Sequence, residues 1–213
     1  MILCDIGNTY IHFCDTYKIW KNLPDEINKK ELSSDVYYIS VNSINEKKLL
    51  KAHKNSYNIA SIVNLDTPYV GLGIDRKAAC LGVENGVIID AGSAITVDVM
   101  DAGNHLGGII LPGLAAYTQA YRSISPALEK RINFGMDFDE LPLNTQSAIS
   151  YGAIKSVVLT IKEIVGDKKA YFTGGDGKFL AKFFEKAIYS EMLVFNGMQI
   201  SIDKALKKHK EQK

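Results

Sequence analysis

The chain has few of the residues that mark several protein classes. Its 213 residues include three cysteines, five prolines and one tryptophan, and its formal net charge is +1. Cys4, Cys14 and Cys80 are odd in number and lack Cys-x-x-Cys spacing. They therefore argue against a disulfide framework or a zinc site and predict reduced thiols in the core. A net charge this close to zero gives no global field that would attract nucleic acid or a membrane.

Long apolar runs are also missing. No stretch approaches the roughly 18 consecutive apolar residues of a membrane span. Asp5 interrupts the first apolar run and no basic leader precedes it, so we expect no signal peptide and a cytoplasmic protein. The basic tail Lys204–Lys213 favours a solvated helix end over a nucleic-acid patch. Hydrophobic residues make up 46% of the chain, enough to build a substantial core.

Two short segments share an acidic glycine turn. They are Asp5-Ile-Gly-Asn-Thr9 and Asp90-Ala-Gly-Ser-Ala94, each placed between two apolar runs. Glycine lets backbone N–H groups approach an anion closely, and consecutive amides in a turn form an anion-binding concavity. The carboxylates would act on phosphate through bound cations. One copy alone is typical of an ordinary turn, but two copies, each followed by an alternating strand, favour phosphate binding.

Thr173-Gly-Gly-Asp-Gly177 is a third candidate for nucleotide contact. It follows an apolar strand and precedes a helical pattern, a position where backbone amides face the loop. A simple strand-to-helix turn explains it equally well. Other nucleotide motifs are absent, since no Gly-x-x-x-x-Gly-Lys-[Ser/Thr] occurs and Arg76 stands where a dinucleotide fingerprint needs its third glycine.

Gly73-Ile-Asp-Arg76 puts a carboxylate beside an arginine in a glycine turn. Such a carboxylate could serve as a general base in a fixed geometry. Taken by itself, the segment favours a local salt bridge or a helix cap. The four histidines are scattered without metal-ligand spacing, so we expect them to be structural.

Strands, hairpins and helices alternate along the chain, which predicts an α/β architecture. Beyond the two acidic hairpins, we expect strands at 35–41, 59–63 and 170–173. We expect helices at 43–54 (opened by a capping box from Ser43 to Glu46), 77–81, 114–121, 145–164 and 178–186. The expected division gives a small N-terminal lobe, residues 1–66, and a C-terminal lobe, residues 67–213, that carries the substrate site and any dimer interface.

Six of these features, in this order, resemble the motifs of the type III pantothenate kinases within the actin-like ATPase superfamily. They are Asp5–Thr9, Gly73–Arg76, Asp90–Asp98, Gly107–Gly113, Asn144-Thr145 with Tyr151-Gly152, and Thr173–Gly175. Leu193–Gly197 is similar to the family's C-terminal Leu-x-x-x-Gly. The resemblance covers nearly the whole chain and implies a two-lobed actin-like ATPase fold, related to ribonuclease H, with duplicated mixed-sheet halves.

The resemblance also implies a function. Members of this family transfer the γ-phosphate of ATP to pantothenate, giving 4′-phosphopantothenate in the first step of coenzyme A biosynthesis. It implies a cytoplasmic homodimer that uses Mg²⁺ with ATP and a monovalent cation, K⁺ or NH₄⁺, with no nucleic-acid or membrane partner.

Residue roles carry over from the matching motifs. Asp75 would be the catalytic base, and Asp90 would bind the monovalent cation. Pantothenate would be held by Tyr69, Gly73, Ile74, Asp75, Arg76 and Thr145, the last from the partner subunit. ATP would be held by Asp5, Ile6, Gly7, Asn8, Thr9, Tyr10, Ile11, His12 and Ser93.

The sequence departs from the family pattern in three places. Ser93 replaces a threonine but keeps the hydroxyl, Leu65 stands at a usual tyrosine position that Tyr69 would fill, and the first lobe is short. Two alternatives stay open: a non-catalytic regulatory or DNA-linked relative, and an acetate or sugar kinase of the same superfamily. Retention of Asp5, Asp75 and Asp90 argues against the first, and the Gly-x-Asp-Arg segment argues against the second.

Overall fold

The structure is a computed structural model that describes residues 1–211 as alternating strands and helices. Its strands are β1 (Ile2–Ile6), β2 (Ile11–Cys14), β3 (Ile19–Asn22), β4 (Val36–Ser40), β5 (Ser56–Asn58), β6 (Gly86–Ala91), β7 (Ala94–Asp101), β8 (Asn104–Pro112), β9 (Ala170–Thr173) and β10 (Ala187–Tyr189). Its α-helices are α1 (Ser43–Ala52), α2 (Ile74–Leu81), α3 (Leu114–Ile124), α4 (Thr145–Val165), α5 (Gly177–Leu180) and α6 (Leu193–Glu211). Short 3₁₀ turns lie at Lys29–Glu31, Ala60–Ile62, Pro126–Leu128 and Ala181–Phe183.

The two five-stranded sheets repeat one topology. In the first, ordered β3-β2-β1-β4-β5, the meander β1–β2–β3 is antiparallel and β4 and β5 are added in parallel. The second has the equivalent order β8-β7-β6-β9-β10, with parallel β6–β9 and β9–β10 pairs. Only residues 92–93 and 102–103 join β6, β7 and β8, connections too short for parallel neighbours. The repeat confirms the predicted α/β fold with duplicated mixed-sheet halves.

The chain forms two compact units, each with its own core. The first comprises Met1–Glu84, Met100–Gly107 and the described chain from Glu191 on, and the second comprises Asn85–Val99 and Gly108–Ser190. The central strands β1 and β6 are buried almost throughout. Burial on both faces explains why both strands are nearly continuous apolar runs in the sequence. The lobe boundary between residues 66 and 67 stays a prediction.

Helices α2 and α6 pack closely within the first unit. Gly197 of α6 lies so near α2 that a Cβ there would collide with the backbone of Ala78. The Ser201 hydroxyl donates to the carbonyl oxygen of Gly197 over 2.8 Å. The close approach of Gly197 to Ala78 fixes the position of α2, the helix that begins at the Gly73–Arg76 segment.

Several predicted elements need correction. Residues 59–63 are not a strand, because β5 ends at Asn58 and a 3₁₀ turn follows at Ala60–Ile62. The helix predicted over 178–186 is the single turn α5, followed by a 3₁₀ turn and β10. The predicted capping box is wrong, because Asn42 caps α1 and Glu46 accepts a hydrogen bond from the Tyr38 hydroxyl over 2.8 Å.

Two predicted helices are confirmed. Helix α4 spans Thr145–Val165, close to the predicted 145–164, and α3 runs three residues beyond its predicted end to Ile124. All three cysteines are free and buried. The basic tail continues α6 to Glu211, while its last two residues lie outside the described part of the chain. Within residues 1–211, no helix has the length and hydropathy needed to cross a membrane.

Candidate functional site

The first acidic turn follows β1. Asp5 is the next-to-last residue of β1 and lies opposite His12 of β2. Residues 7–10 join the two strands, and the N–H of Gly7 donates to the carbonyl oxygen of Tyr10 over 3.0 Å. A Cβ on Gly7 would approach that oxygen to 3.1 Å, so glycine keeps this loop tight.

Two asparagines at the start of α1 hold this loop in place. The side-chain Nδ2 of Asn45 donates to the carbonyl oxygens of Gly7 and Asn8 over 2.9 and 3.2 Å. The Nδ2 of Asn42 donates to the Oδ1 of Asn8 over 3.1 Å. Sequence reasoning missed both residues, and the only signal was a pair of asparagines flanking the start of a predicted helix.

His12 lies partly buried on β2, at the end of the same loop. Its pKa is lowered from 6.5, first by burial and then by the nearby Lys21, while Glu191 acts in the opposite direction. The neutral imidazole is therefore favoured at neutral pH, with one ring nitrogen able to donate and the other to accept.

The second acidic turn follows β6 and is held by backbone packing. Asp90 is the next-to-last residue of β6, and the N–H of Gly92 donates to the carbonyl oxygen of Ala94 over 3.0 Å. Gly113 closes over this turn, since a Cβ there would lie 2.5 Å from the carbonyl oxygen of Ser93. The final glycine of the Gly107–Gly113 motif thus leaves room for the Ser93 backbone.

The loop after β9 packs against the same strand end. Gly174 has φ +82°, and a Cβ there would lie 2.5 Å from Oδ1 of Asp90 and 2.6 Å from the backbone of Ala91. The N–H of Asp176 donates to the carbonyl oxygen of Ala91 over 3.0 Å. Burial raises the pKa of the Asp176 carboxyl above 3.8. Because α5 is a single turn, the loop offers little of the predicted helix dipole.

The predicted catalytic segment opens α2. Oδ1 of Asp75 accepts the backbone N–H of Arg76 over 2.8 Å, which turns the carboxylate back toward the helix start. A Cβ on Gly73 would lie 2.6 Å from that same oxygen. Glycine at position 73 therefore leaves the space that the Asp75 carboxylate occupies.

Arg76 and Tyr69 form a cation–π interaction in the first unit. The guanidinium carbon of Arg76 lies 4.8 Å from the ring centroid of Tyr69, and Arg76 is only 6% exposed. The N–H of Tyr69 donates to the hydroxyl of Thr67, which lies 2.6 Å from Nδ1 of the buried His105. His105 is thus buried and hydrogen-bonded, and its support of the Tyr69 segment was not foreseen from the sequence.

Thr145 is the first residue of α4 and is exposed. Asn144 caps the helix by accepting the N–H of Ser147 over 2.9 Å. The predicted site residues thus divide between the units. The first unit carries the Asp5–His12 loop with Tyr69 and Gly73–Arg76, and the second carries Asp90, Ser93 and Thr145.

Comparisons with known proteins find relatives over nearly the whole chain. The model of a family described as type III pantothenate kinase matches residues 49–167. A protein of that name from Helicobacter hepaticus is 54% identical over 206 residues, 97% of this chain and 100% of the relative. Another, from Wolinella succinogenes, is 52% identical over 198 residues, 93% of this chain and 94% of the relative.

Two solved structures extend the comparison. A Campylobacter jejuni protein, described as a candidate Baf family transcriptional activator, is 43% identical with a TM-score of 0.84, covering 97% of this chain and 100% of that chain. A candidate 2-dehydro-3-deoxygalactonokinase from Sinorhizobium meliloti has a TM-score of 0.57 at 8% identity, covering 94% and 97%. The second likeness shows a shared fold alone.

Proposed function

The chain belongs to the type III pantothenate kinase family, and we propose that it phosphorylates pantothenate with ATP to give 4′-phosphopantothenate in coenzyme A biosynthesis. The duplicated mixed sheets support the actin-like ATPase fold that the sequence motifs predict. The observation that carries the proposal is the Gly73–Arg76 segment at the start of α2. There the carboxylate of Asp75 directly precedes the buried Arg76.

Asp75 is the proposed general base. Its carboxylate would take the proton of the primary hydroxyl of pantothenate while that oxygen bonds to the γ-phosphorus. The bond from the γ-phosphorus to the bridging oxygen breaks, and its electron pair leaves with ADP. The Asp75 carboxylate accepts the Arg76 N–H and occupies the space left by the missing side chain of Gly73. Both observations support a fixed orientation of this carboxylate.

Gly73, Ile74 and Arg76 are proposed to bind pantothenate, together with Tyr69. A guanidinium suits the carboxylate of pantothenate because its planar N–H groups can donate two parallel hydrogen bonds. The stacking of Arg76 on Tyr69 supports a pre-oriented guanidinium. It also supports the proposal that Tyr69 takes the role of the tyrosine that Leu65 replaces.

Each of the two acidic turns is proposed to contribute contacts to ATP. The backbone amides and polar side chains of residues Asp5 to His12, with Ser93, would donate to its phosphates. Mg²⁺ would accompany ATP, and a monovalent cation, K⁺ or NH₄⁺, would lie at Asp90; both would neutralise phosphate charge. The Asp90 carboxylate and the neighbouring backbone carbonyl of Ala91 are oxygen donors, the type that hard cations prefer.

We infer a cytoplasmic homodimer in which Thr145 reaches the partner's pantothenate. Exposed Thr145 and the neighbouring Leu141 and Leu143, which are 78% and 99% exposed, support an interface near the start of α4. Mixing an Asp75→Asn protein with a Thr145→Ala protein tests this. Mixed dimers should regain activity, because one of their two sites would be intact. Two inactive proteins that stay inactive after subunit exchange would contradict the shared site.

A coupled assay with purified protein, ATP and pantothenate, with and without K⁺, tests the function itself. Asp75→Asn should lower kcat by about 10²–10⁴-fold, the usual contribution of a general base, with an unchanged unfolding midpoint. Asp35→Asn removes an exposed carboxylate of the same unit and should leave kcat unchanged. No turnover by the wild-type protein would favour the regulatory alternative, which corresponds to the description of the Campylobacter jejuni structure.

A further inference from the structure

A relay of asparagine amides leads from α1 into the first acidic loop. We propose that Asn42 orients the side chain of Asn8 so that its Nδ2–H groups donate to a phosphate oxygen of the bound nucleotide. Asn42 is then a positioning residue that touches no ligand itself. The inference rests on the proposed function for the identity of the ligand, and the contacts in the loop fix the direction of the relay.

The helix sets the orientation of Asn42. Its Oδ1 accepts the backbone N–H groups of Ile44 and Asn45, each over 3.0 Å. Only the oxygen of an amide side chain can accept, so these two bonds exclude the flipped orientation of Asn42. Its Nδ2 must face the other way, where it lies 3.1 Å from Asn8.

The orientation of Asn42 in turn sets that of Asn8. Because Asn42 presents a donor, Asn8 must present its Oδ1 as the acceptor. The Nδ2 of Asn8, with its two N–H donors, is then directed away from Asn42 on an exposed side chain. Donors suit the oxygens of a phosphate, whereas the reverse orientation would turn an amide oxygen toward an anion.

The backbone of the loop is fixed separately. Asn45 is 5% exposed, and its Nδ2 donates to the carbonyl oxygens of Gly7 and Asn8. Asn45 therefore holds the main chain of the loop, and Asn42, three residues earlier, holds the side chain of Asn8. The cap of α1 uses only the Oδ1 of Asn42, so the contact of its Nδ2 with Asn8 is a separate interaction.

Substitution of Asn42 by Asp separates the relay from the cap. A carboxylate still accepts from Ile44 and Asn45, so α1 stays capped and the unfolding midpoint should not fall. A carboxylate at position 42 has no N–H to donate to Asn8. The Asn8 amide must then flip, so that its Nδ2 donates to the carboxylate and its Oδ1 faces the nucleotide. We expect the KM for ATP to rise about 10–100-fold, the range for loss of a hydrogen bond to a charged group, with an unchanged KM for pantothenate.

Two variants control for the added charge. Ser43→Asp puts a carboxylate on the adjacent exposed residue and leaves the relay intact, so its KM for ATP should stay at the wild-type value. Asn42→Ser keeps a neutral cap and only frees Asn8, which predicts a KM between those of wild type and Asn42→Asp. An equal rise in Ser43→Asp and Asn42→Asp would overturn the relay in favour of a charge effect.

Nucleotide binding without pantothenate separates this inference from the proposed function. ATP should raise the unfolding midpoint of the wild-type protein, and the rise should be smaller for Asn42→Asp. A wild-type protein that binds ATP but does not phosphorylate pantothenate would refute the proposed function and leave the relay supported by the binding difference. Equal ATP-induced stabilisation of wild type and Asn42→Asp, or none in the wild type, would overturn the relay.

Discussion

The two acidic turns stand at equivalent places in the two sheets, but the chain holds them by different means. Asp5 and Asp90 are each next to last in the central strand of their sheet. The loop after Asp5 is bonded by side-chain amides from α1. The turn after Asp90 is packed against the backbone of Gly113 and Gly174.

The difference separates two ways of making a turn rigid. Replacing a hydrogen-bonded amide removes only the free energy of its hydrogen bonds, because the exposed loop can keep its backbone conformation and bond to water instead. Backbone packed against backbone leaves no space for even one methyl group, so a substitution must move the chain. Similar motifs in the sequence should therefore differ in their tolerance to substitution.

The largest effect should come from Gly174→Ala in the second turn. The left-handed conformation costs a Cβ-bearing residue about 1–2 kcal/mol, and the collision with Ala91 and Asp90 adds about 1–3 kcal/mol. We expect the free energy of unfolding to fall by about 3 kcal/mol in denaturant titrations. Gly103→Ala is the matched control, because Gly103 has φ +77° with no atom within 4 Å of its Cβ position. This variant should lose only the conformational contribution of about 1–2 kcal/mol. Equal losses would mean that packing does not hold this turn.

A smaller effect should come from Asn45→Leu in the first turn. Leucine keeps the branched shape of the side chain, although it is larger, and it leaves the carbonyl oxygens of Gly7 and Asn8 without their side-chain donor. The expected loss in unfolding free energy is about 1–2 kcal/mol.

Asn64→Leu removes an exposed amide that donates to the carbonyl oxygen of Ser61 over 3.3 Å, and it should change the unfolding free energy by less than about 0.5 kcal/mol. A loss in Asn45→Leu as large as that in Gly174→Ala would remove the distinction between the two turns.

The sequence predicts both turns because each is local. An apolar strand, an acid, a glycine and an alternating strand lie within about ten residues, so pattern and turn chemistry suffice to place Asp5 and Asp90. The long helix α4 is predicted for the same reason, since Asn144 caps an extended apolar periodicity. The ends of elements are predicted less well. Phe183 and Phe184 fall in the helix predicted over 178–186, but they pack on the core of the second unit from a 3₁₀ turn and its C-cap.

What holds each turn could not be predicted. Asn45 and Gly7 are 38 residues apart, as are Thr67 and His105. Contacts at such separation depend on how β1, β4 and α1 are arranged, and one sequence contains no signal of that arrangement. The glycines at 113 and 174 are visible in the sequence as motifs, but the backbone they accommodate is not.

The smallest effects should be opposite pH dependences in the two units. Burial lowers the pKa of His12 below 6.5, so between that lowered value and 6.5 the unfolded chain binds more protons and stability falls as the pH drops through this window. Burial raises the pKa of Asp176 above 3.8, so between 3.8 and that raised value the folded chain binds more protons and stability rises on acidification. Relative to wild type, His12→Asn should therefore gain unfolding free energy as the pH falls below 6.5, and Asp176→Asn should lose it as the pH falls toward 3.8. Denaturant titrations across this range measure both slopes, and slopes of the same sign would show that burial does not control both groups.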